Sequence, residues 1–240
     1  MEQLFQKIQI GNLIIWFIVL LFSLSFHEAA HAWTSERFGD DTGRLQGRIT
    51  LNPMAHIDPF GSVILPLMCV LLSPGFVFGW AKPVPIDPRF FRRPRRDMAI
   101  VAAAGPAMNG LLALVSFGVL AVILAIDPTV GEQWPPQPEQ LARRDALGML
   151  LVPLAAMAFT SISINVLLMA FNLIPIPPLD GGRILTSVLP VRPAMALHRM
   201  EPYGMLIVLL LIVLDPQIHV LRTIIGTLLN LAARAVTVVG

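Results

Sequence analysis

Four long stretches of the chain are dominated by apolar residues: Ile8–Trp33, Met98–Ile126, Ala146–Ile176 and Tyr203–Leu231. Each matches or exceeds the ~20 residues a helix needs to cross a hydrocarbon core of ~30 Å, so the pattern predicts a chain that threads a bilayer repeatedly. A fifth run, Val63–Phe78, spans only 16 residues, with Pro66 inside it and Ser73-Pro74-Gly75 near its end. Too short and broken to cross, it is expected to enter and leave the membrane on one side, its freed backbone groups met by protein or a water-filled cavity. Between the runs, Glu36–Asp58 is polar and punctuated by glycine and proline, and Gly43–Leu51 alternates loosely enough to predict a short strand or hairpin. The Asp215-Pro216 pair leaves the last run as one kinked helix or two pieces. The expected fold is thus an all-α multi-pass membrane protein of about four full transmembrane helices, a re-entrant segment and a small β element. It forms one domain over residues 1–240, with a core of about 8–190 and a C-terminal membrane segment of about 203–232.

Composition removes the soluble alternatives, since 55% of the residues are hydrophobic and only 13% are charged. Cys69 is the only cysteine, which excludes an internal disulfide and a cysteine-based zinc site and leaves His, Asp and Glu as metal ligands. The basic residues fall between apolar runs. If Glu36–Asp58, Gly79–Asp97 and Gly181–Pro202 share one side, that side holds 12 Lys and Arg against 4 in Met1–Ile10, Asp127–Asp145 and the tail after Asn230. The richer side is expected to be cytoplasmic, and the cluster of Arg92, Arg93, Arg95 and Arg96 suits membrane orientation and lipid headgroups better than nucleic acid. Lys7 and the Ala30-His31-Ala32 triplet formally suit a cleaved leader, but a leader has no need of His27, Glu28 and His31 within its apolar run.

Those three residues form His27-Glu28-Ala29-Ala30-His31, H-E-x-x-H on a predicted helix. The spacing stacks two imidazoles on one face, where both can reach one zinc, and sets Glu28 beside them to take a proton from a water the metal has activated. Polar groups at membrane depth are costly unless they bind something. Two histidines leave tetrahedral zinc short of a protein ligand, and Asp180, directly after the proline-rich Ile174–Leu179 stretch that ends a membrane run, is the outstanding candidate. Taken alone, it reads equally as an Asp-Gly turn at the membrane surface. Ser23, Ser25, Ser161 and Ser163 lie in no G-x-S-x-G context, and helix back-bonding accounts for them.

HEAAH in the first membrane run, joined to N-L-I-P-I-P-P-L-D-G-G after a later one, resembles the site-2 protease family of intramembrane zinc metalloproteases. G-R-I-T-L-N-P-M-A-H-I-D-P, G-W-A-K-P-V-P-I-D-P and A-G-P-A-M-N resemble its short bacterial branch without PDZ or CBS domains. The resemblance covers roughly residues 15 to 190. It implies one Zn2+ per chain held by His27, His31 and Asp180, Glu28 as general base, and Asn172 helping to hold the scissile region or its oxyanion. His56 is a possible contact to a ligand or substrate, or else a loop-packing residue. Asn109 is expected to hydrogen-bond between helices, with support of a metal ligand, contact to substrate or a catalytic role as the alternative. The expected substrate is a membrane protein or peptide bound in extended form, with Gly43–Leu51 as an edge for it, cut in the cell membrane at a site opening toward the cytoplasm. The rival functions are a transporter using the His/Asp set for ions and a metal-binding membrane protein without catalysis.

Overall fold

In a computed structural model the described residues are 10–72, 79–131 and 145–218, with 223, 226 and 227. Among them all regular structure is helical: α1 (Ile10–Arg37), α2 (Thr42–Leu45), α3 (Leu65–Leu72), α4 (Pro94–Ile126), α5 (Ala146–Asn172), α6 (Asp180–Val188), α7 (Val191–Arg199) and α8 (Glu201–Ile218). Three of these helices are long and apolar enough to cross a membrane: Gly11–Arg37, Pro94–Ile126 and Ala146–Asn172. The expected fourth span, 203–232, lies mostly outside the described residues; where described, its helix α8 runs through Asp215-Pro216 to Ile218.

The boundaries follow local chemistry. α1 ends where Gly39 takes a φ of 105°, a left-handed conformation that glycine reaches without penalty. Pro94 opens α4 at a position where no N–H is needed, and Asp97 reaches back to accept from the Arg93 N–H at 2.8 Å. Asp145 caps α5 by accepting from the Gly148 N–H at 2.8 Å. α5 stops at Asn172, ahead of Pro175, Pro177 and Pro178, and the 177–178 peptide bond is cis.

α4 lies against both α1 and α5. One buried cluster joins Leu120, Ile123 and Leu124 of α4 to Leu151, Val152, Ala155 and Ile162 of α5, and a second joins Val19, Leu20 and Leu24 of α1 to Ile164 of α5. Alanines 113, 155 and 158 are buried in the first of these clusters, which lets backbones approach closely where lipid offers no hydrophobic drive to helix association. Leu114, Val122, Leu147 and Leu150 face outward, as lipid-facing side chains do.

Two expectations meet the structure differently. Gly43–Leu51 is not a strand: Thr42–Leu45 is a helical turn, followed by a turn at Gly47 with φ 67°. Asp40 accepts from the Thr42 N–H at 3.1 Å, which starts a turn, and Arg48 points inward to the Ala55 carbonyl. The run at 63–78 is entered by a wide helical turn, Pro59–Ile64, and α3; its Ser73-Pro74-Gly75 break lies outside the described residues. The residues that flank it meet, since the Trp80 N–H donates to the Gly61 carbonyl at 3.1 Å and the Ser62 hydroxyl to the Trp80 carbonyl at 2.8 Å.

Candidate metal centre

His27 and His31 sit one turn apart near the C-terminal end of α1, and Asp180 opens α6. The chain brings them together by folding Leu173–Leu179 into a tight turn against the Asp180-Gly181-Gly182 backbone. A Cβ at Gly181 would strike the Leu173 and Ile174 carbonyls, and one at Gly182 would strike Ile176 and Pro177. All three ligand candidates are about 95% buried, at 5%, 4% and 5% exposure.

Their atoms converge. The two Nε2 atoms are 3.0 Å apart, and Asp180 Oδ2 lies 3.1 Å from Nε2 of His27 and 3.3 Å from that of His31. Both ring protons are committed elsewhere: Nδ1 of His27 donates to Asn109 Oδ1 at 2.6 Å, and Nδ1 of His31 to the Val101 carbonyl at 2.8 Å. Each neutral imidazole therefore presents a lone pair at Nε2. Three lone-pair atoms face one another in a dry interior, and Asp180 Oδ2 has no hydrogen-bond donor. Such a set is costly without a cation. A tetrahedral ion with bonds of about 2.0–2.1 Å separates its ligand atoms by about 3.4 Å, close to the spacing seen, so the residues fit zinc. Among the described residues this is the one cluster of three such side chains able to hold a metal.

The space in front of the rings exists because α4 carries Gly105 there. A Cβ at that position would run into Nε2 of both histidines. Sequence reasoning did not single out Gly105; its signal was the Gly-Pro pair early in a membrane helix, which marks a close approach only once the neighbour is known.

The remaining candidates are placed as follows. Glu28 Oε2 accepts from the Val84 N–H at 2.9 Å, in the Lys82-Pro83-Val84-Pro85 segment. Asn172 sits at the last turn of α5, its amide donating to the Leu168 carbonyl at 3.0 Å. Asn109 contacts His27 directly. His56 does not join the three ligand atoms: it is buried in the loop before α3, its Nε2 donating to the Thr50 carbonyl at 2.9 Å while its own carbonyl accepts from Lys82 N–H. His198 pairs with Glu201 at 2.9 Å on the surface, and His219 lies outside the described residues.

Residues 15–214 match peptidase family M50. The chain is 36% identical over 196 residues to the Bacillus subtilis protein named "Putative zinc metalloprotease YwhC", covering 82% of this chain and 78% of that one. It is 31% identical over 194 residues to "Putative zinc metalloprotease Rip2" of Mycolicibacterium smegmatis, covering 80% of this chain and 64% of the relative. The Mycobacterium tuberculosis H37Rv protein of the same name is also 31% identical, over 199 residues, 83% of this chain and 66% of its own length. No solved structure matches the chain. Family match, relatives and lone-pair cluster agree: the chain belongs to peptidase family M50, the site-2 protease family, and is a zinc metalloprotease.

Proposed function

We propose that this metalloprotease hydrolyses peptide bonds within or next to the membrane-spanning segments of protein substrates, in the cell membrane, from a site that opens toward the cytoplasm. One observation carries the reading: the two histidines of H-E-x-x-H are buried on a helix, Gly11–Arg37, that is itself long and apolar enough to cross a membrane. His27, His31 and Asp180 would hold one zinc per chain. A zinc ion held there would polarise the scissile carbonyl and lower the pKa of water toward ~7.

The protein's own groups do the rest. Glu28 accepts the proton of the attacking water and passes it to the departing amine, so no acyl-enzyme forms. Its carboxylate has two oxygens, and holding the Val84 N–H with Oε2 leaves Oε1 for that work. Asn172 has two amide protons, of which Leu168 takes one; the other steadies the substrate carbonyl as negative charge develops. A helical substrate must unwind locally, because its carbonyls are bonded within its own helix, and it meets these groups in extended form.

The test is purified protein in detergent with a candidate membrane substrate. Chelation should abolish cleavage and zinc should restore it. Cleavage confined to soluble peptides, with every membrane substrate left intact, would remove the intramembrane part of the proposal.

A further inference from the structure

We propose that Asn165, on α5 and out of reach of the metal, is a positioning residue that fixes which nitrogen of His27 faces it. The proposal rests on His27 being a ligand. A chain of buried hydrogen bonds crosses all three membrane-long helices. From His27 Nδ1 it passes to Asn109 Oδ1 at 2.6 Å, then from Asn109 Nδ2 to Asn165 Oδ1 at 2.7 Å. It ends where Asn165 Nδ2 donates to the Ser161 carbonyl and the Ser23 hydroxyl, both at 2.9 Å. Both asparagines are fully buried.

A primary amide has a donor end and an acceptor end, so each link sets the sense of the next. If Asn109 were turned over, its NH2 would face the His27 ring. Nδ1 would then have to accept and the proton would sit on Nε2, the nitrogen pointed at Asp180 and the metal. What forbids this lies at the far end. The Ser161 backbone carbonyl can only accept, so Asn165 must turn its NH2 there and its oxygen toward Asn109. Asn109 then turns its oxygen toward His27. The hydroxyls of Ser23 and Ser161 rotate freely and impose no direction; the backbone carbonyl does. Asn109 Nδ2 also faces the Ser23 carbonyl, at 3.5 Å, too long to set the sense alone. His31 needs no such chain, because its Nδ1 meets the Val101 carbonyl directly. Asn165 thus does for His27, through one intermediary, what a main-chain oxygen does for His31. In a dry bundle no water stands in for a missing link.

The test measures zinc affinity of the full chain in detergent by chelator competition, with His27→Ala as the control for the ligand. Asn109→Ala should weaken zinc by about 10–100-fold and Asn165→Leu by about tenfold, the range seen when a ligand loses its hydrogen-bond support. The double variant should bind no more weakly than Asn109→Ala alone, since the effect of Asn165 passes only through Asn109. Unaltered affinity in Asn165→Leu, or effects that add, overturns the relay while a loss in His27→Ala keeps the ligand assignment standing. Full zinc retention in His27→Ala overturns both. Should Asn165→Leu fail to fold, the 15N shifts of the His27 ring in the zinc-free wild type decide: a proton on Nδ1 is expected, and an unprotonated Nδ1 overturns the proposal.

Discussion

Gly105 has no side chain, and for that reason two imidazoles fit against α4. The smallest substitution tests it: Gly105→Ala places a methyl group against Nε2 of His27 and His31, and zinc content, measured by metal analysis on folded protein, should fall well below one per chain. Glu28→Gln should do the opposite, keeping fold and zinc while cleavage drops by about 10²–10⁴-fold, because the amide preserves shape but cannot take the proton. Activity within a few-fold of wild type would end the general-base assignment. Asn172→Ala should retain zinc and lose about 10²–10³-fold in turnover if its free N–H meets the developing charge. Unchanged turnover would leave it as the residue that closes the last turn of α5. At this scale the sequence was most legible where chemistry depends on spacing along a single helix, as with His27, Glu28 and His31. It was least legible where the chemistry depends on which helices are neighbours: Gly105 and Asn165 acquire their meaning only when α1, α4 and α5 pack against one another.

Among the elements, the long helices were readable because lipid demands long apolar runs, and their ends were set by features visible as letters, Pro94 and the Pro175–Pro178 stretch. The polar stretch after α1 was harder. Its alternation at Gly43–Leu51 comes from Arg48 turning inward and Gly43 packing against Ala32, not from a pleated edge. Asp40 organises this region. It is fully buried and accepts from the Ser35 hydroxyl and the Asp87 N–H, both at 2.8 Å, and from the Thr42 N–H, so it ties the end of α1 to α2 and to the loop ahead of α4. Burial alone would raise its pKa, but the donors of Thr42, Asp87 and Ser35 outweigh burial and hold it below the ordinary carboxylate value. The stability it adds is present above the unfolded-state pKa of ~3.9 and is lost as pH falls through the lower folded-state value. Asp40→Asn should therefore cost about 1–3 kcal/mol at neutral pH, by orphaning buried donors, and should flatten the acid limb of the stability profile. An acid limb identical to wild type in thermal melts against pH would show that Asp40 does not carry it.

For the whole molecule, the hydrogen-bonded partners fix the direction of the three long helices. Later residues of α1 meet earlier residues of α4, His27 with Asn109 and His31 with Val101, while Asn109 meets Asn165 and Ser116 meets the earlier Ser161, so α4 runs opposite to α1 and α5. The end of α1, the Arg92–Arg96 cluster and Asp180 are thereby brought to the same end of the bundle, the end proposed above to face the cytoplasm. Gly61 and Trp80, which flank the segment expected to be re-entrant, are hydrogen-bonded to each other. Single cysteines at Arg44, Arg93 and Thr129 in a Cys69→Ala background, probed in intact cells with an impermeant thiol reagent, should react only at 129. Labelling at 93 but not at 44 would mean that the segment between them crosses. The order of the ligands along the chain has a further consequence, for biosynthesis. The two histidines enter the membrane with the first long helix, but the carboxylate that completes the centre follows the last of the three. On the proposed ligand set, a nascent chain inserted only as far as α4 carries two of the three ligands, and hydrolytic capacity follows only once the polypeptide has been threaded past Asp180.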